Sequence, residues 1–493
     1  MIAWLTALAA ATAPQAPDVV TLQVPLAERV VRATASPSAL TLVTHEAAAG
    51  QRWLRSHDRG DAGAVPSQPT RAPYALEPDV VAFALADVDP APGREVVLFT
   101  AERAVAVTTN GDAGPAYVPL FEHRLVWPAA PADDAVALTA AVVDVDGDGR
   151  DDFVIPEPDG ARCVRQVRDD TGVHWQATEW RLPPRVRAIA SAGAANGPAR
   201  LGPGELSLRL DLGDGDDDER ADRGPLLRLQ RATPPIGFAD LTGDGRADAI
   251  AVHNGSLWTW DVAADGAIAS RPGERALPLP EDRLTLFDPA FDVQLADTDG
   301  DGRADLLVTT SAQRDDQVEV RIDLRPQQAD GGWAATPARL RLQTLAMPPQ
   351  LVDADGDGRL DLVAVTLRTD LLGSLTGGGA QTVELQVNVF AGKGTRFATP
   401  AILQQQLALP TQPGRARRPF VQVVTTAAGA ALVSVDGDGL RLQPLTRDGR
   451  SLVLGEPTWR LPLGVNARPD RPAAGSRELI VRDEHEVLHV RWR

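Results

Sequence analysis

The sequence predicts an all-β chain assembled from repeated hairpin units. Three features carry that prediction: short β-branched runs punctuated by turn residues, an Asp/Gly motif recurring at a fixed period, and a Leu-Pro signature that closes most units. Of 493 residues, 43 are Gly and 40 are Pro. The apolar runs between them are short and lack the three-and-four spacing of amphipathic helices, which favours strands joined by turns.

The repeat is the organising element. Four stretches align without gaps, beginning at Val143-Asp-Val-Asp-Gly-Asp-Gly-Arg-Asp-Asp-Phe-Val-Ile155, Ala239-Asp-Leu-Thr-Gly-Asp-Gly-Arg-Ala-Asp-Ala-Ile-Ala251, Ala296-Asp-Thr-Asp-Gly-Asp-Gly-Arg-Ala-Asp-Leu-Leu-Val308 and Val352-Asp-Ala-Asp-Gly-Asp-Gly-Arg-Leu-Asp-Leu-Val-Ala364. Their first aspartates, Asp144, Asp240, Asp297 and Asp353, lie 96, 57 and 56 residues apart. A degenerate fifth copy starts at Asp87, another 57 residues upstream. Periods of this length indicate a repeat architecture. Each copy reads apolar run, Asp/Gly turn, β-branched run, which is a hairpin.

Further hairpin-sized runs follow each copy, such as Ser256-Leu-Trp-Thr-Trp260 and Gln317-Val-Glu-Val-Arg-Ile322. Units then close on Trp180-Arg-Leu-Pro183, Ala276-Leu-Pro-Leu-Pro280, Leu407-Ala-Leu-Pro410 or Trp459-Arg-Leu-Pro-Leu463. Proline within a sheet belongs on an edge strand, so this signature marks the outermost strand of four. Four strands in units of some fifty residues predict a β-propeller, which protects sheet edges by radial repetition. The expectation is one propeller over 14–493 with seven or eight four-stranded blades. The clear Asp-loop repeats span about 80–365, and degenerate blades are expected at about 28–77, 185–235 and 414–463. A closing blade is expected from 464–493 with 18–27, because Val20–Leu26 resembles an outer strand and Glu478–Trp492 the two strands before one.

Bulk composition narrows the function. The formal charge is −18, with 67 acidic against 49 basic residues, and no basic stripe offsets it, so nucleic acid is not expected as a partner. Lys393 is the only lysine, a bias that suits a GC-rich bacterial genome. Cys163 is the only cysteine, so no intrachain disulfide is available and stability must come from packing or metal. The N-terminal Met1-Ile-Ala-Trp-Leu-Thr-Ala-Leu-Ala-Ala-Ala-Thr-Ala13 reads as a signal peptide over 1–13, cleaved after Ala11 or Ala13, although it lacks a basic residue. The expected location is therefore outside the cytoplasm: periplasm, cell surface or medium. No later run reaches the ~18–20 apolar residues of a membrane helix.

The chemistry lies in the acidic turns. Oxygen ligands at positions 1, 3, 5 and 9 of a tight Gly-containing turn converge on one hard cation, and Ca²⁺ accepts six to eight oxygens in irregular geometry where Mg²⁺ demands an octahedron. The side chains so placed are Asp144, Asp146, Asp148 and Asp152; Asp240, Thr242, Asp244 and Asp248; Asp297, Asp299, Asp301 and Asp305; and Asp353, Asp355, Asp357 and Asp361. About four Ca²⁺ sites follow. The Asp-Gly turn of an ordinary hairpin accounts for one such loop but not for four sharing the ninth-position aspartate. An EF-hand is excluded, because its twelfth-position Glu is replaced by Ile155, Ala251, Val308 and Ala364.

These residues resemble the FG-GAP/VCBS repeats of integrin α-subunit heads and many secreted bacterial proteins. The resemblance implies a propeller with calcium in hairpin loops on one rim. It also implies a backbone-carbonyl ligand at the seventh position: Arg150, Arg246, Arg303 and Arg359. In the copy at Asp87, Ala91 stands at the fifth position and Glu95 at the ninth, which puts calcium there in doubt. Ser434-Val-Asp-Gly-Asp438-Gly-Leu-Arg-Leu442 lacks both end aspartates and reads as a turn.

Several tempting motifs carry less. His485-Glu-Val-Leu-His489 matches a zinc-protease pattern, but its surroundings are β-branched and that chemistry needs a helix. Arg59-Gly-Asp61 is expected by chance in a chain rich in these residues. The acidic run Asp211–Glu219 and Gly377-Gly-Gly379 read as loops. The resulting expectation is an exported calcium-binding scaffold that recognises a protein or glycan through its blade loops. The alternative is a propeller enzyme with its site in the central funnel, a polysaccharide lyase or glycosidase or a quinone-dependent dehydrogenase, which the fold alone does not exclude.

Overall fold

The computed structural model describes residues 17–492 apart from 36–38, 60–64, 71–72, 89–93, 101, 110–114, 124–136, 139–141, 158–159, 170–171, 183–186, 192–204, 211–225, 233–235, 245, 254–255, 264–267, 270, 278–290, 315–316, 344, 368–380, 412–419, 437–438, 464–466, 470–476 and 484. Every regular element among them is a strand. The fold is an all-β propeller of eight blades built on four-stranded antiparallel sheets; Ala137–Leu138 adds a parallel strand to blade 2, and blade 7 has a fifth strand. In chain order, blades 1 to 7 span Glu28–Leu76, Ala82–Glu122, Val142–Arg181, Ile236–Ala276, Phe291–Leu342, Gln350–Thr411 and Val421–Pro462.

Blade 8 is built from both ends of the chain. Asp18–Gln23 pairs antiparallel with Glu486–Arg491, from Asp18 opposite Arg491 to Gln23 opposite Glu486. Glu478–Arg482 and the two-residue strand Arg468–Pro469 complete it. Pro410 and Pro462 of the Leu-Pro signatures lie in outer strands, while the prolines at 183, 278 and 280 lie outside the described residues. The strands Gly172–Arg181, Gly273–Ala276 and Leu403–Thr411 are the last in their sheets, and Trp459–Pro462 lies against the third strand of blade 7.

The chain forms two compact bodies, one of Ala27–Val65 with Pro69–Leu279, the other of Met1–Leu26, Pro66–Gln68 and Pro280–Arg493. Within each body the cores are the seams between successive blades. In the second strand of blade 6, Asp361–Leu367, the period-2 alternation sends Leu362 and Ala364 into the seam with blade 5, and Val363 and Val365 into the seam with blade 7. Blade 7 repeats the division, with Val423 and Leu432 facing blade 6, and Val424, Ala431 and Val433 facing blade 8. In the other body Leu98 meets blade 1, while Val97 and Phe99 meet blade 3. Both faces of the middle strands are buried, so these strands read as unbroken apolar runs in sequence.

One segment departs from the expected blades. At about 185–235 the chain has a sheet of three strands, in the order Arg187–Ser191, Leu226–Ala232, Glu205–Leu210. Blades 3 and 4 pack directly on one another, with Val154, Cys163 and Trp180 against Ala249, Ala251 and Trp260. The Trp180 and Trp260 rings stack at 5.3 Å with 23° between planes. The 96-residue step between Asp144 and Asp240 therefore separates neighbouring blades. No helix among the described residues is long and apolar enough to cross a membrane.

Candidate metal centres

Each Asp loop joins the first strand of its blade to the second, in blades 3, 4, 5 and 6. The turns of blades 3, 5 and 6 share one hydrogen-bond pattern, while in blade 4 Asp240 accepts the N–H groups of Thr242 and Gly243 at 3.1 and 2.6 Å. In the shared pattern the first-position carboxylate accepts the N–H groups of the fourth, fifth and sixth residues. For Asp144 these are Gly147 at 2.7 Å, Asp148 at 3.0 Å and Gly149 at 2.8 Å. For Asp297 and Asp353 the distances run from 2.6 to 3.1 Å. The third-position carboxylate accepts the fifth residue's N–H, and the fifth accepts the seventh's, as in Asp299←Asp301 at 3.2 Å and Asp301←Arg303 at 2.9 Å. Gly147 and Gly149 sit at φ of 75° and 83°, and their counterparts in blades 5 and 6 at 76–84°. Only glycine adopts that backbone without strain, and it is what turns successive carboxylates to one side.

Three loops bring three carboxylates to within 4.8 Å of one another: Asp144, Asp146 and Asp152; Asp297, Asp299 and Asp301; Asp353, Asp355 and Asp357. Asp148, Asp305 and Asp361 stand outside these triads. The blade 4 loop, with Thr242 in third place beside Asp240, Asp244 and Asp248, is not among them. The seventh-position arginines Arg150, Arg246 and Arg303 fold back onto the fifth-position aspartates Asp148, Asp244 and Asp301.

The ninth-position aspartates have a role that motif reading did not assign. They are buried, at 0 to 4% exposure. Each ties the loop's second residue to the end of the third strand. Asp152 accepts Val145 N–H at 3.0 Å and Gln166 N–H at 2.9 Å. Asp305 accepts Thr298 N–H at 3.1 Å and Gln327 N–H at 2.8 Å. Asp361 accepts Ala354 N–H at 2.9 Å and Gly392 N–H at 2.8 Å. Asp248 accepts Leu241 N–H at 3.1 Å and is also bonded by the Val262 backbone. Burial pushes the Asp152 carboxyl up to about 7 and Asp361 up to about 6, against these N–H groups, which lower it; neighbouring loop carboxylates raise it further. Asp248 and Asp305 are raised for the same leading reason. The charged form of each therefore gains from a nearby cation. Asp361 accepts a third N–H, from Asp355 at 3.1 Å, and Asp305 also accepts the Thr298 hydroxyl. Two or three bonds leave lone pairs free on each carboxylate, so clamping and metal ligation are compatible.

The degenerate copy keeps one bond of the clamp. Val88 N–H donates to the Glu95 carboxylate at 3.0 Å, the bond that the ninth aspartates make elsewhere. Asp151 of blade 3 accepts Asp87 N–H at 2.7 Å and the Arg94 guanidinium at 3.1 Å, so a cationic side chain joins blades 2 and 3 there.

With the geometry established, the comparisons follow. Residues 297–364, from the blade 5 loop through the blade 6 loop, match the model of the FG-GAP-like repeat family. Residues 297–364 carry the FG-GAP-like repeat. No curated protein matches its sequence. Among solved structures it is similar to a lectin from Agrocybe aegerita described as recognising non-reducing terminal N-acetylglucosamine, at 15% identity over 90% of each chain with a TM-score of 0.41. It is also similar to the Nup133 β-propeller domain of Vanderwaltozyma polyspora, at 7% identity over 95% of this chain and all of that one, with a TM-score of 0.36. The propeller assignment rests on strand order and pairing rather than on these similarities.

Among the described residues, the Asp loops of blades 3, 5 and 6 are the motifs whose carboxylates lie together. Of the zinc-like motif, Glu486–His489 lies in a strand, where four residues span about 13 Å, and His489 is buried with Nε2 3.2 Å from the Glu478 carboxylate. A helical pair of zinc ligands is thereby excluded. The Ser434–Leu442 segment is a hairpin with Asp436 opposite Gly439. The N-terminal apolar run at 1–13, Gly60-Asp61, Asp211–Glu219 and Gly377–Gly379 lie outside the described residues. Three participants at the loops were not visible as motif members: Arg165 on Asp146 at 3.1 Å, Arg447 of blade 7 on Asp355 at 3.6 Å, and Asp261 beside Asp248. The only sequence signal is that Arg165 and Asp261 each lie thirteen residues after a ninth-position aspartate.

Proposed function

We propose that the chain is an exported, calcium-binding FG-GAP/VCBS-type propeller that serves as a binding or scaffold module for a protein or glycan. The observation that carries the reading is the convergence of three carboxylates at one place in blades 3, 5 and 6, on turns whose backbone N–H groups are already satisfied. All-oxygen donors on a short irregular turn suit Ca²⁺ better than the octahedral Mg²⁺ or nitrogen- and sulfur-seeking metals. Asp144, Asp146, Asp148 and Asp152 would hold one ion. Asp297, Asp299, Asp301 and Asp305 would hold a second, and Asp353, Asp355, Asp357 and Asp361 a third. Asp240, Thr242, Asp244 and Asp248 would form a fourth site with one carboxylate fewer. Backbone carbonyls of Arg150, Arg246, Arg303 and Arg359 would complete the oxygen sets.

The ion's contribution is charge neutralisation and rigidity at the turn between the first two strands of a blade. Export follows from the apolar N-terminal run and agrees with loops that need millimolar calcium. A partner bound at blade loops would meet a surface that calcium has ordered. Screening the purified chain on a glycan array, and in pull-downs against cell-surface proteins, tests the binding role. Retention in millimolar CaCl₂ that is abolished by chelator is expected. Identical profiles with and without chelator would contradict a calcium-ordered binding surface.

A further inference from the structure

The clamps made by the ninth aspartates fix one strand position in register beside every Asp loop. The clamped residues are Gln166 within the third strand of blade 3, and Val262, Gln327 and Gly392 two residues beyond the third strands of blades 4, 5 and 6. The residues immediately before them are Arg165, Asp261, Pro326 and Ala391. One structural position thus carries a cation in blade 3, an anion in blade 4 and no charge in blades 5 and 6.

The two charged occupants match the loops they face. Arg165 places Nη1 3.1 Å from Asp146 Oδ2, with both side chains at 14% exposure or less, while its Nη2 donates to Gln176 Oε1 at 2.8 Å. This guanidinium is held by a second strand and sits on a loop with four carboxylates. Asp261 is exposed and follows Trp260, which pairs with Ala249, so the register sets Asp261 opposite the ninth-position Asp248. It stands in the blade whose loop has lost one carboxylate to Thr242. The seventh-position arginines are common to all four loops and do not distinguish them. Counting only the four ligand positions and this strand position, blade 3 carries four negative charges and one positive, and blade 4 carries three and one further negative.

We infer that this strand position sets the metal affinity of the first two loops separately. Arg165 acts as a built-in counter-charge that opposes cation uptake by the Asp144–Asp152 loop and holds its carboxylates together without metal. Asp261 returns to the Asp240–Asp248 loop the negative charge that Thr242 withholds. The inference rests on the calcium reading above and adds an order of filling to it, because like charges repel and opposite charges attract across these distances.

Hydrogen exchange of loop peptides across a calcium titration reads each site individually, since loop amides gain protection when a turn is fixed. In the intact chain, Arg165→Gln should move the midpoint for residues 142–157 to about fivefold lower free calcium, the effect of a partly exposed charge. It should also loosen the same peptide in chelator, and leave residues 236–253 unmoved. Arg165→Lys, which keeps the charge, should retain the wild-type midpoint. Asp261→Asn should move the 236–253 midpoint severalfold upward and leave 142–157 alone. If the wild-type loops gain protection with calcium but neither midpoint moves in R165Q and D261N, the charge position does nothing and the inference fails. If no wild-type loop responds to calcium, the metal reading itself fails and takes the inference with it.

Discussion

Asp305 and Asp301 lie four residues apart in one loop, and the structure gives them different work. Asp301 is exposed and pairs with Arg303 of its own turn. Asp305 is 1% exposed and is the acceptor for two backbone N–H groups, one in the loop and one 22 residues downstream. Removing it strands buried donors, each costing about 1–3 kcal/mol. Asp305→Ala should therefore destabilise by about 3 kcal/mol in chelator, and by more in calcium, where a proposed ligand is lost as well. Asp301→Asn should be close to neutral in chelator and lose only the calcium-dependent part. Denaturant midpoints under both conditions separate the two, and a chelated Asp305→Ala protein as stable as wild type would refute the clamp. The approach of three carboxylates in the loops of blades 3, 5 and 6 follows from their spacing on a Gly-containing turn. The clamp was not legible in the sequence, because its partners lie 14, 22 and 31 residues away and depend on where each third strand ends. Arg165 and Asp261 were hidden for the same reason.

Among the elements, the strand Asp18–Gln23 has the largest single consequence. It pairs with Glu486–Arg491 over six residues, buries Leu22 completely, and is followed by a bond from Val24 N–H to His485 O at 3.0 Å. Deleting residues 1–27 removes that strand, exposes the edge of Glu486–Arg491 and opens the core beside Val490. The truncated chain should melt about 5 °C or more below a chain starting at Pro14. Melting within a degree or two would show that blade 8 does not need its N-terminal strand. This closure was legible because both chain ends carried strand-like apolar runs of complementary kind, and the outer strands were legible because Pro is confined to sheet edges. The segment near 185–235 was read differently from what the structure holds. Its length and composition suit a blade, and only the packing of Trp180 on Trp260 reveals that blades 3 and 4 meet without it.

At the scale of the whole molecule, each body has its apolar cores in the seams between blades, and the Asp loops lie at strand ends beside them. The chain carries a formal charge of −18, and fifteen of its carboxylates stand at the ligand positions of four loops. Four Ca²⁺ ions add eight positive charges and bring the total to −10. A ligand that binds only the folded state stabilises it by about 2.7 kcal/mol per site at a hundredfold excess over its dissociation constant. Four such sites give roughly 10 kcal/mol, as much as the whole stability of a typical domain. The fold class could be read from residues in sequence because the hairpin repeat is local and recurs. The division into seams could not, because it depends on which face of each buried strand meets which neighbour.

The most direct measurement is thermal melting of the purified chain in chelator, in millimolar MgCl₂ and in millimolar CaCl₂, with bound metal counted on the same sample. Calcium in the Asp loops predicts about four Ca²⁺ per chain, a large rise in Tm with calcium, a smaller one with magnesium, and protease sensitivity in chelator. No bound calcium, with identical melting in chelator and calcium, would contradict it.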